Sequence, residues 1–325
     1  MYTPPFEITS RIIERISVIS EKIGEIRHLQ DSAQSVRLRK ENRIKTIHAS
    51  LAIENNSLSV EQITAIIEGK RVLGNPNEIR EVENSIQAYD LLLSFDPYDE
   101  KDLLKAHALM MRNLVGRSGE YRTAGVGIFD GKKVVHFAPP AERVRELMSD
   151  LFAWLKASDA HPLIKSCVFH YEFEFIHPFQ DGNGRMGRLW QTVILKEWKE
   201  IFAWLPVETL VKERQKEYYS ALGASDREAD CTGFIEFMLS LIADTIEEIM
   251  RAEKKVTAKV SQKVTANQRK IIEAIKANPF VTQDALVDIV GIARKNIVAN
   301  MKKLQEYGLI KRIGADKNGH WQAVE

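Results

Sequence analysis

The chain has 325 residues, about twice the length of a typical domain, so we expect two domains, one of them with a substantial core. Hydrophobic residues make up 44% and charged residues 28%, with 17 Gly and 10 Pro, which excludes a disordered or fibrous chain. The 46 Lys and Arg nearly balance the 45 Asp and Glu, giving a formal net charge of +1.

The cysteine content and the apolar runs predict a cellular compartment. Cys167 and Cys231 are too few for a disulfide framework, and neither has Cys or His neighbours at the spacing of metal ligands. The first residues lack the basic and then apolar pattern of a signal peptide, and no apolar run approaches the roughly 18 residues of a membrane span. We therefore expect a cytoplasmic protein that is neither exported nor embedded in a membrane.

Helical periodicity dominates the first 250 residues. Five isoleucines at spacings of three and four form one apolar stripe near the N-terminus: Ile12, Ile16, Ile19, Ile23 and Ile26. The stripe predicts a helix that packs on the protein's own core. A coiled-coil seam between two chains is the alternative, so a homodimer stays open. Further helices are expected at about 36–53, 79–93, 100–114, 140–156, 161–176, 184–199, 208–222 and 231–251.

A strand-like segment interrupts the helices between Gly119 and Pro139. Asp130-Gly131 lies between two β-branched runs and favours the tight type I′ turn of a hairpin. The residues that mark the two strands are Val126, Ile128, Val134, Val135 and Phe137. A hairpin alone often serves only as a connector.

The composition changes after Met250. Residues 251–264 are basic and poorly patterned, which predicts a linker. Three helices follow at about 266–277, 282–290 and 293–306, with Gly291 placed for the tight turn of a helix-turn-helix. Two strands around a turn at 316–319 complete the order of a winged helix.

This C-terminal segment is basic. Residues 263–325 contain 11 Lys and Arg and 6 Asp and Glu, a net charge of +5, which leaves −4 for the preceding residues. The basic residues of the third helix and of the wing are Arg294, Lys295, Lys302, Lys303, Lys311, Arg312 and Lys317. They predict a surface that contacts DNA phosphates. Protein contacts or dimerisation through an ordinary basic face are the alternative.

The segment that points to chemistry runs from His177 to Arg188 and reads HPFQDGNGRMGR. A glycine loop that opens a helix presents unpaired N–H groups and the positive end of the helix dipole, which together bind anions. Arg185 and Arg188 are three residues apart on one helix face and suit phosphate oxygens. His177 is a candidate general base, and Asp181 offers a carboxylate to Mg²⁺.

These residues resemble the signature of the Fic (filamentation induced by cAMP) family, HPFxDGNGRxxR, and every defining position is filled. The resemblance covers roughly residues 40–250. The hairpin before Pro139-Pro140 looks like the family's flap, and Tyr218-Tyr219 resembles its tyrosines downstream in the nucleotide pocket.

The resemblance implies a protein adenylyltransferase, which moves AMP from ATP to a Ser, Thr or Tyr hydroxyl of a target protein. His177 would be the general base, and Asp181 would hold Mg²⁺ on the α- and β-phosphates. Arg185 and Arg188 would bind the β- and γ-phosphates. The other implied nucleotide contacts are the backbone of Gly182, Asn183 and Gly184, the Asn183 side chain, Met186, Gly187, Tyr218 and Tyr219.

The hairpin would have a role in target docking. Val126 and Ile128 lie on an exposed strand edge, where an extended target segment can add a strand by β-augmentation. This arrangement would bring a target hydroxyl into line with the α-phosphate. A hairpin that merely covers the core is the alternative.

An upstream segment resembles the family's inhibitory helix, in the class where that helix precedes the catalytic core. Ser50 and Glu54 are four residues apart on one helix face, and Asn55 suits the helix end. The resemblance implies that Glu54 forms a bidentate pair with Arg188, occupies the guanidinium needed for the γ-phosphate and keeps the isolated protein weakly active.

The predicted fold class is mainly α: a Fic-type helical domain with a β-hairpin flap, and a C-terminal winged helix-turn-helix domain. The expected divisions are an N-terminal helical region at 1–100 with the inhibitory helix at about 40–55, a catalytic core at 101–250, a linker at 251–264 and a winged helix at 265–325. Two other functions stay open. One is a transcriptional regulator that senses nucleotides and binds DNA, and the other is a Fic enzyme that transfers a different group or removes AMP.

Overall fold

The computed structural model describes residues 2–26, 33–130, 133–314 and 319–323. Side chains are described throughout these ranges except at 33–37, 127–130, 133–137 and 253–263. Within the described ranges the chain forms fourteen α-helices and two antiparallel sheets of two strands each. The fold is therefore mainly helical, as the sequence predicts.

The helices follow one another with short connections. Their bounds are α1 Ser10–Ile26, α2 Ala33–Ile53, α3 Val60–Ile67, α4 Pro76–Asp90, α5 Glu100–Met110, α6 Val144–Ala157, α7 Pro162–Ile176, α8 Asn183–Trp198, α9 Val207–Glu213, α10 Gln215–Glu228, α11 Thr232–Lys263, α12 Ala266–Ala277, α13 Gln283–Val290 and α14 Arg294–Glu306. The strands are β1 Gly127–Asp130, β2 Lys133–Phe137, β3 Ile310–Ile313 and β4 His320–Ala323. No helix within the described ranges is long and apolar enough to cross a membrane.

The chain divides into two compact units. The larger unit comprises residues 1–22 and 41–246, and the smaller comprises 23–40 and 247–325.

Helices α7 and α8 form the centre of the larger unit. Pro162 occupies the first turn of α7, and the His161 side chain accepts a hydrogen bond from the Leu163 N–H, which caps the helix start. Both helices are buried along nearly their whole length. They therefore lie in the core of this unit, where they hold both ends of the loop that joins them.

The predicted N-terminal stripe is buried. Ile12 and Ile19 are fully buried, and Ile23 and Ile26 nearly so. This burial fits packing within the chain, the preferred interpretation of the stripe.

Three segments differ from the sequence-based expectation. Helix α3 was not expected; it begins with a reciprocal capping box between Ser59 and Gln62. The stretch expected as one helix at 208–222 is two helices, which are separated at Arg214. The segment 251–264, expected as a linker, is helical through Lys263. It contains no Gly or Pro and is rich in Ala, Lys, Glu and Gln, which are good helix formers.

The expected hairpin is present as β1 and β2. The strands pair antiparallel, with an irregularity between Ile128 and Phe129. The predicted turn includes Gly131, which lies outside the described residues, as do the side chains of Ile128, Val134, Val135 and Phe137. Val126, just before β1, is half-buried.

The smaller unit contains the winged helix. Helices α12, α13 and α14 surround an apolar cluster that includes Ile271, Leu286 and Ile297. Gly291 ends α13 with a φ of 78°, a left-handed conformation that glycine adopts at little cost. The wing is formed by β3 and β4. Most of its predicted turn, including Lys317, lies outside the described residues.

Candidate active site

The loop between α7 and α8 is closed by hydrogen bonds of its own. The Asn183 side chain accepts from the Phe179 N–H through Oδ1 and donates to the Phe179 carbonyl through Nδ2, both at 2.9 Å. Gly182 has a φ of 84°, and a Cβ there would lie 2.6 Å from the Met111 sulfur. Only glycine meets both conditions at this position.

The start of α8 leaves donors for an anion. Gly182 is the N-cap residue, and no side chain caps the helix. The first N–H groups of a helix have no partners within the helix and lie at the positive end of its dipole. The first turn of this 16-residue helix therefore presents backbone donors that suit the oxygens of a phosphate.

Asp181 is the exposed carboxylate of the loop. Its Oδ1 accepts from the Gly182 N–H at 2.5 Å and from Arg185 Nη2 at 3.2 Å, and its side chain is 60% exposed. Within the described residues, Oδ2 accepts no hydrogen bond, and no cluster of three or more His, Cys, Asp or Glu is arranged to hold a metal. One open carboxylate oxygen fits Mg²⁺, which takes one or two protein carboxylates and completes its shell with phosphate oxygens and water.

His177 ends α7 in a left-handed conformation, with a φ of 50°. A residue other than glycine adopts this conformation at a cost of about 1 kcal/mol or more, which the surrounding structure must offset. The buried Arg122 supplies the contacts. Its guanidinium donates to the carbonyls of His177 at 2.8 Å and Ile176 at 3.2 Å.

Arg122 also connects this corner to the base of the hairpin. It donates to the Pro139 carbonyl at 2.6 Å and to the Ala124 carbonyl at 3.1 Å. Its own N–H donates to the Pro178 carbonyl at 2.9 Å. One side chain thus joins both ends of the hairpin segment to the residue predicted as the general base.

His107 supports the loop from below. Its Nδ1 accepts from the Gly119 N–H at 2.8 Å, so Nε2 carries the proton and donates to the Asp181 carbonyl at 3.0 Å. The ring stacks on Phe179 with 3.6 Å between centroids. Burial lowers the pKa of His107 to about 4, which keeps the ring neutral at physiological pH.

Arg185 and Arg188 are both buried on α8. Arg185 donates to Asp181 and, through Nη1, to Glu81 Oε1 at 3.3 Å. Within the described residues, its buried Nε has no hydrogen-bond partner. A buried N–H that lacks an acceptor costs free energy, and a bound phosphate oxygen would supply one.

Arg188 is engaged by the end of α2. It donates to Glu54 Oε1 at 2.7 Å, to the Ser50 carbonyl at 3.0 Å and to Ser50 Oγ at 3.2 Å. Burial alone would lower the pKa of Arg188, but the Glu54 carboxylate raises it above its ordinary value. The sequence suggested a bidentate pair. The structure instead has one Glu54 oxygen on Nη2, while Ser50 accepts from Nε.

Glu54 lies directly over the start of α8. A Cβ at Gly184 would collide with its Oε1 and would lie 3.0 Å from Arg188 Nη1. The carboxylate therefore occupies space beside the first turn of the helix, where an anion would bind. Helix α2 ends at Ile53, so Glu54 lies just beyond the helix rather than within it. Asn55 follows with a φ of 67°, which ends the helix as expected.

Side chains of α9 and α10 hold the end of α2 in place. Lys212 donates to the Ala52 carbonyl at 2.6 Å, and Gln215 donates to the Ile53 carbonyl at 3.1 Å. These contacts satisfy carbonyls that a helix C-terminus leaves without partners.

Four residues expected to contact nucleotide face other parts of the protein. Met186 is fully buried in the core. Gly187 faces α7, where a Cβ would lie 2.6 Å from Glu174 Oε1. The Asn183 side chain serves the loop itself, which leaves only its backbone for an anion. Tyr218 is buried and donates to His170 Nε2 at 2.9 Å. Its neighbour Tyr219 is 50% exposed and keeps a face open.

The sequence analysis missed three residues of this site, namely Arg122, His107 and Glu81. Along the chain, they lie 55, 74 and 104 residues from the residues that they contact. No local pattern marks such distant contacts.

The fold and the site define a mainly helical protein with an anion-binding loop at the start of a central helix. A model of the Fic/DOC family matches residues 97–195, and a model described as winged helix-turn-helix DNA-binding matches residues 265–311. The crystal structure of a Fic family protein from Desulfovibrio desulfuricans G20 is 45% identical in sequence. It covers 99% of this chain and 98% of its own, with a TM-score of 0.76. The chain belongs to the Fic family.

More distant relatives share the fold or part of the sequence. The structure of Fic-1 (residues 134–508) from C. elegans is 23% identical, covers 75% of this chain and 73% of its own, and has a TM-score of 0.63. Protein adenylyltransferase fic-1 of Caenorhabditis briggsae is 27% identical over 278 residues, which is 80% of this chain and 52% of that protein. The chain thus spans about half the length of the curated relatives it matches.

Proposed function

We propose that the protein is an ATP-dependent protein adenylyltransferase, which transfers AMP to a hydroxyl side chain of a target protein. One observation carries the proposal: two buried arginines lie in the first two turns of α8, whose start has no side-chain cap, and a histidine held in a left-handed conformation begins the loop that leads to this helix. Anion donors, two cations and a general base are the groups that phosphate transfer from ATP requires. Relatives named as protein adenylyltransferases support the choice of AMP as the transferred group.

His177 acts on the attacking nucleophile. It takes the proton of the target hydroxyl, whose oxygen then forms a bond to the α-phosphorus. The bond from the α-phosphorus to the bridging oxygen breaks, and its electron pair leaves with pyrophosphate. Arg185, Arg188 and the N–H groups at the start of α8 bind the β- and γ-phosphates, so they stabilise the charge that builds on this leaving group.

Asp181 would hold the metal through its open carboxylate oxygen. Bound Mg²⁺ supplies charge neutralisation on the phosphates. The contact between Asp181 Oδ1 and the Gly182 N–H fixes the side chain, so that Oδ2 stays on the solvent side. The exposed ring of Tyr219 is the better placed of the two tyrosines for the nucleoside.

The hairpin is the proposed docking site of the target. β1 pairs only with β2 within the described residues, which leaves its other edge for an extended segment. Ile128 lies on this strand, and Val126 lies just before it. Arg122 connects the base of this hairpin to the His177 carbonyl. A segment docked on the hairpin would therefore lie at a fixed distance from the general base.

Glu54 is proposed to inhibit the enzyme. Its carboxylate and Ser50 occupy the donors of Arg188, and its position over Gly184 overlaps the space that a γ-phosphate would need. ATP would then bind with its α-phosphate out of line, and the isolated protein would be weakly active.

The test of this function follows the label of ATP into protein. Wild type, Glu54→Gly and the double variant Glu54→Gly with His177→Ala are incubated with a heat-treated cell lysate, whose own kinases are inactive, together with Mg²⁺ and ATP labelled at either the α- or the γ-phosphate. We expect label from α-labelled ATP only, more with Glu54→Gly and none with the double variant. Glu68→Gly, at the end of α3, is the matched control and should behave as wild type. Transfer that survives the loss of His177, or transfer of the γ-label, would refute the mechanism. Loss of AMP from labelled proteins would instead favour a removal activity.

DNA binding by the winged helix is a second candidate function. It is supported by the matched helix-turn-helix model and by exposed basic residues on α14, namely Arg294, Lys295, Lys302 and Lys303.

For the domain boundaries we propose 1–100, 101–250 and 265–325, with 251–264 as a helical connection. We also propose a cytoplasmic location, for which two buried free cysteines, Cys167 and Cys231, are the support.

A further inference from the structure

Glu81 on α4 is shared between two parts of the site. Its Oε1 accepts from Arg185 Nη1 at 3.3 Å, and its Oε2 accepts from Asn56 Nδ2 at 2.8 Å. Arg185 lies in the first turn of α8, where the phosphates are proposed to bind, whereas Asn56 follows Glu54 by two residues. One carboxylate therefore connects the phosphate site to the inhibitory segment through a contact separate from the Glu54–Arg188 pair.

Asn56 is itself fixed. It is buried, its Oδ1 accepts from the Leu58 N–H at 3.1 Å, and its Nδ2 also donates to the Glu78 carbonyl at 3.1 Å. Its backbone N–H donates to the Leu51 carbonyl at the end of α2. The turn that carries Glu54 thus also sets the position of the Glu81 carboxylate.

Arg185 stands between two carboxylates. Nη2 donates to Asp181 and Nη1 to Glu81, so the planar guanidinium is oriented by the pair. Without the charge of Glu81, Asp181 would be the remaining carboxylate partner of Arg185. A bidentate pair would then use both Asp181 oxygens, including the one that is open to a cation.

We infer that Glu81 is a positioning residue for the triphosphate site: it draws Arg185 away from a bidentate pair with Asp181 and keeps Asp181 Oδ2 available. The inference rests on the proposed function, and it adds a second link between the turn after α2 and nucleotide binding. Asn56 holds the Glu81 carboxylate in position through its side-chain amide. Loss of the Asn56 side chain should therefore weaken nucleotide binding, as loss of the Glu81 charge does.

The experiment measures nucleotide binding directly. The reference protein carries Glu54→Gly, which frees Arg188 from its Glu54 partner. ATP affinity is measured by calorimetry at several Mg²⁺ concentrations for this reference and for the same protein with Glu81→Gln or Asn56→Ala added. We expect Glu81→Gln to weaken ATP binding about tenfold and to raise the Mg²⁺ concentration for half-maximal binding, since it removes one charge-assisted contact. In transfer assays the KM for ATP should rise while kcat changes little. Asn56→Ala should do the same more weakly, and the double variant should add little to Glu81→Gln.

The controls separate positioning from folding. Glu78→Gln is matched, because Glu78 lies on the same helix and accepts from Ser57 Oγ at 2.7 Å on the same turn. It should bind ATP as the reference does. Glu81→Asp keeps the charge and should restore part of the affinity even if Glu81→Gln is unstable. ATP and Mg²⁺ dependence unchanged by Glu81→Gln, or changed equally by Glu78→Gln, would overturn the inference alone. A Glu54→Gly reference that binds no ATP would overturn the proposed function and the inference with it.

Discussion

Arg188 and Glu54 are 134 residues apart in the chain and are joined by a 2.7 Å hydrogen bond inside the site. The Arg188 side chain is almost fully buried, whereas the Glu54 side chain is 32% exposed. The buried partner belongs to the rigid centre of the fold and the exposed one to the end of a helix. If the contact breaks, Glu54 is therefore the side that moves.

The first prediction compares how much Glu54 and Ser50 each contribute to the inhibition through Arg188. Glu54→Gln removes the charge and keeps the shape, so AMP transfer should rise about 10- to 100-fold, the equivalent of a charge-assisted hydrogen bond of roughly 1.5–3 kcal/mol. Ser50→Ala removes the acceptor of Arg188 Nε but leaves the Glu54 carboxylate in place, so it should raise transfer by only about threefold. Rates with α-labelled ATP measure both. Ser57→Ala is the control, since that hydroxyl contacts Glu78. A Ser50→Ala rate above that of Glu54→Gln would contradict this order.

The second prediction concerns Arg122. Arg122→Lys cannot reach all four carbonyls that the guanidinium contacts, and it leaves buried acceptors without donors. We expect a loss of about 2–4 kcal/mol in the free energy of unfolding, measured by urea denaturation. Transfer activity measured well below the melting temperature should also fall, because the His177 conformation loses its support. Arg117→Lys, at the surface, should change neither quantity. An Arg122→Lys protein as stable as wild type would show that these contacts contribute little.

The third prediction is a pH dependence of stability. Burial raises the pKa of Glu208 from 4.5 to about 7. The folded protein keeps a proton there that the unfolded chain releases above pH 4.5, so the contribution of Glu208 to stability is largest below that pH and is lost as the pH rises through 7. Between about pH 5.5 and pH 8 the wild type should therefore lose on the order of 2 kcal/mol more than Glu208→Gln.

Denaturant unfolding at several pH values measures this difference. Glu213→Gln is the control, because Glu213 is exposed on the same helix. Its stability should follow the wild-type pH dependence. Parallel curves for wild type and Glu208→Gln would contradict the assignment to Glu208.

The fourth prediction tests DNA binding by the full-length protein. The double variant Lys302→Gln with Lys303→Gln removes two exposed charges from α14, so affinity for duplex DNA should fall about tenfold. The salt dependence of this affinity should correspond to about two fewer phosphate contacts. Arg269→Gln with Lys270→Gln makes the same charge change on the exposed side of α12 and should have less effect. Wild-type affinity that does not depend on salt would exclude a contact dominated by phosphates.

The sequence predicted the parts of the site that are local in the chain. HPFQDGNGRMGR specifies a turn, a helix start and two arginines within 12 residues, so the loop could be interpreted without its surroundings. Glu54 was found through a resemblance, since a carboxylate four residues after a serine is common. Arg122, His107 and Glu81 act across long separations, and no spacing rule identifies such partners.

The direction in which side chains point was also difficult to predict from the sequence. Tyr218 and Tyr219 are adjacent on a helix and point about 100° apart, so at most one could face a given pocket. The sequence did not show which one. The prediction of a linker at 251–264 was wrong for a different reason. The residues of this segment suit both a solvated linker and a helix, and the sequence pattern does not distinguish between the two structures.

The hydrogen bonds between Asn183 and the Phe179 backbone have a consequence for the evolution of the motif. Phe179, Gly182 and Asn183 maintain the shape of the loop, whereas His177, Asp181 and the two arginines are the residues proposed for its chemistry. The exposed Gln180 contributes to neither and is free to vary. A descendant chain could lose His177 under relaxed selection and still preserve Phe179, Gly182 and Asn183, because folding alone would conserve these three residues. A survey of such chains should therefore record the two subsets separately.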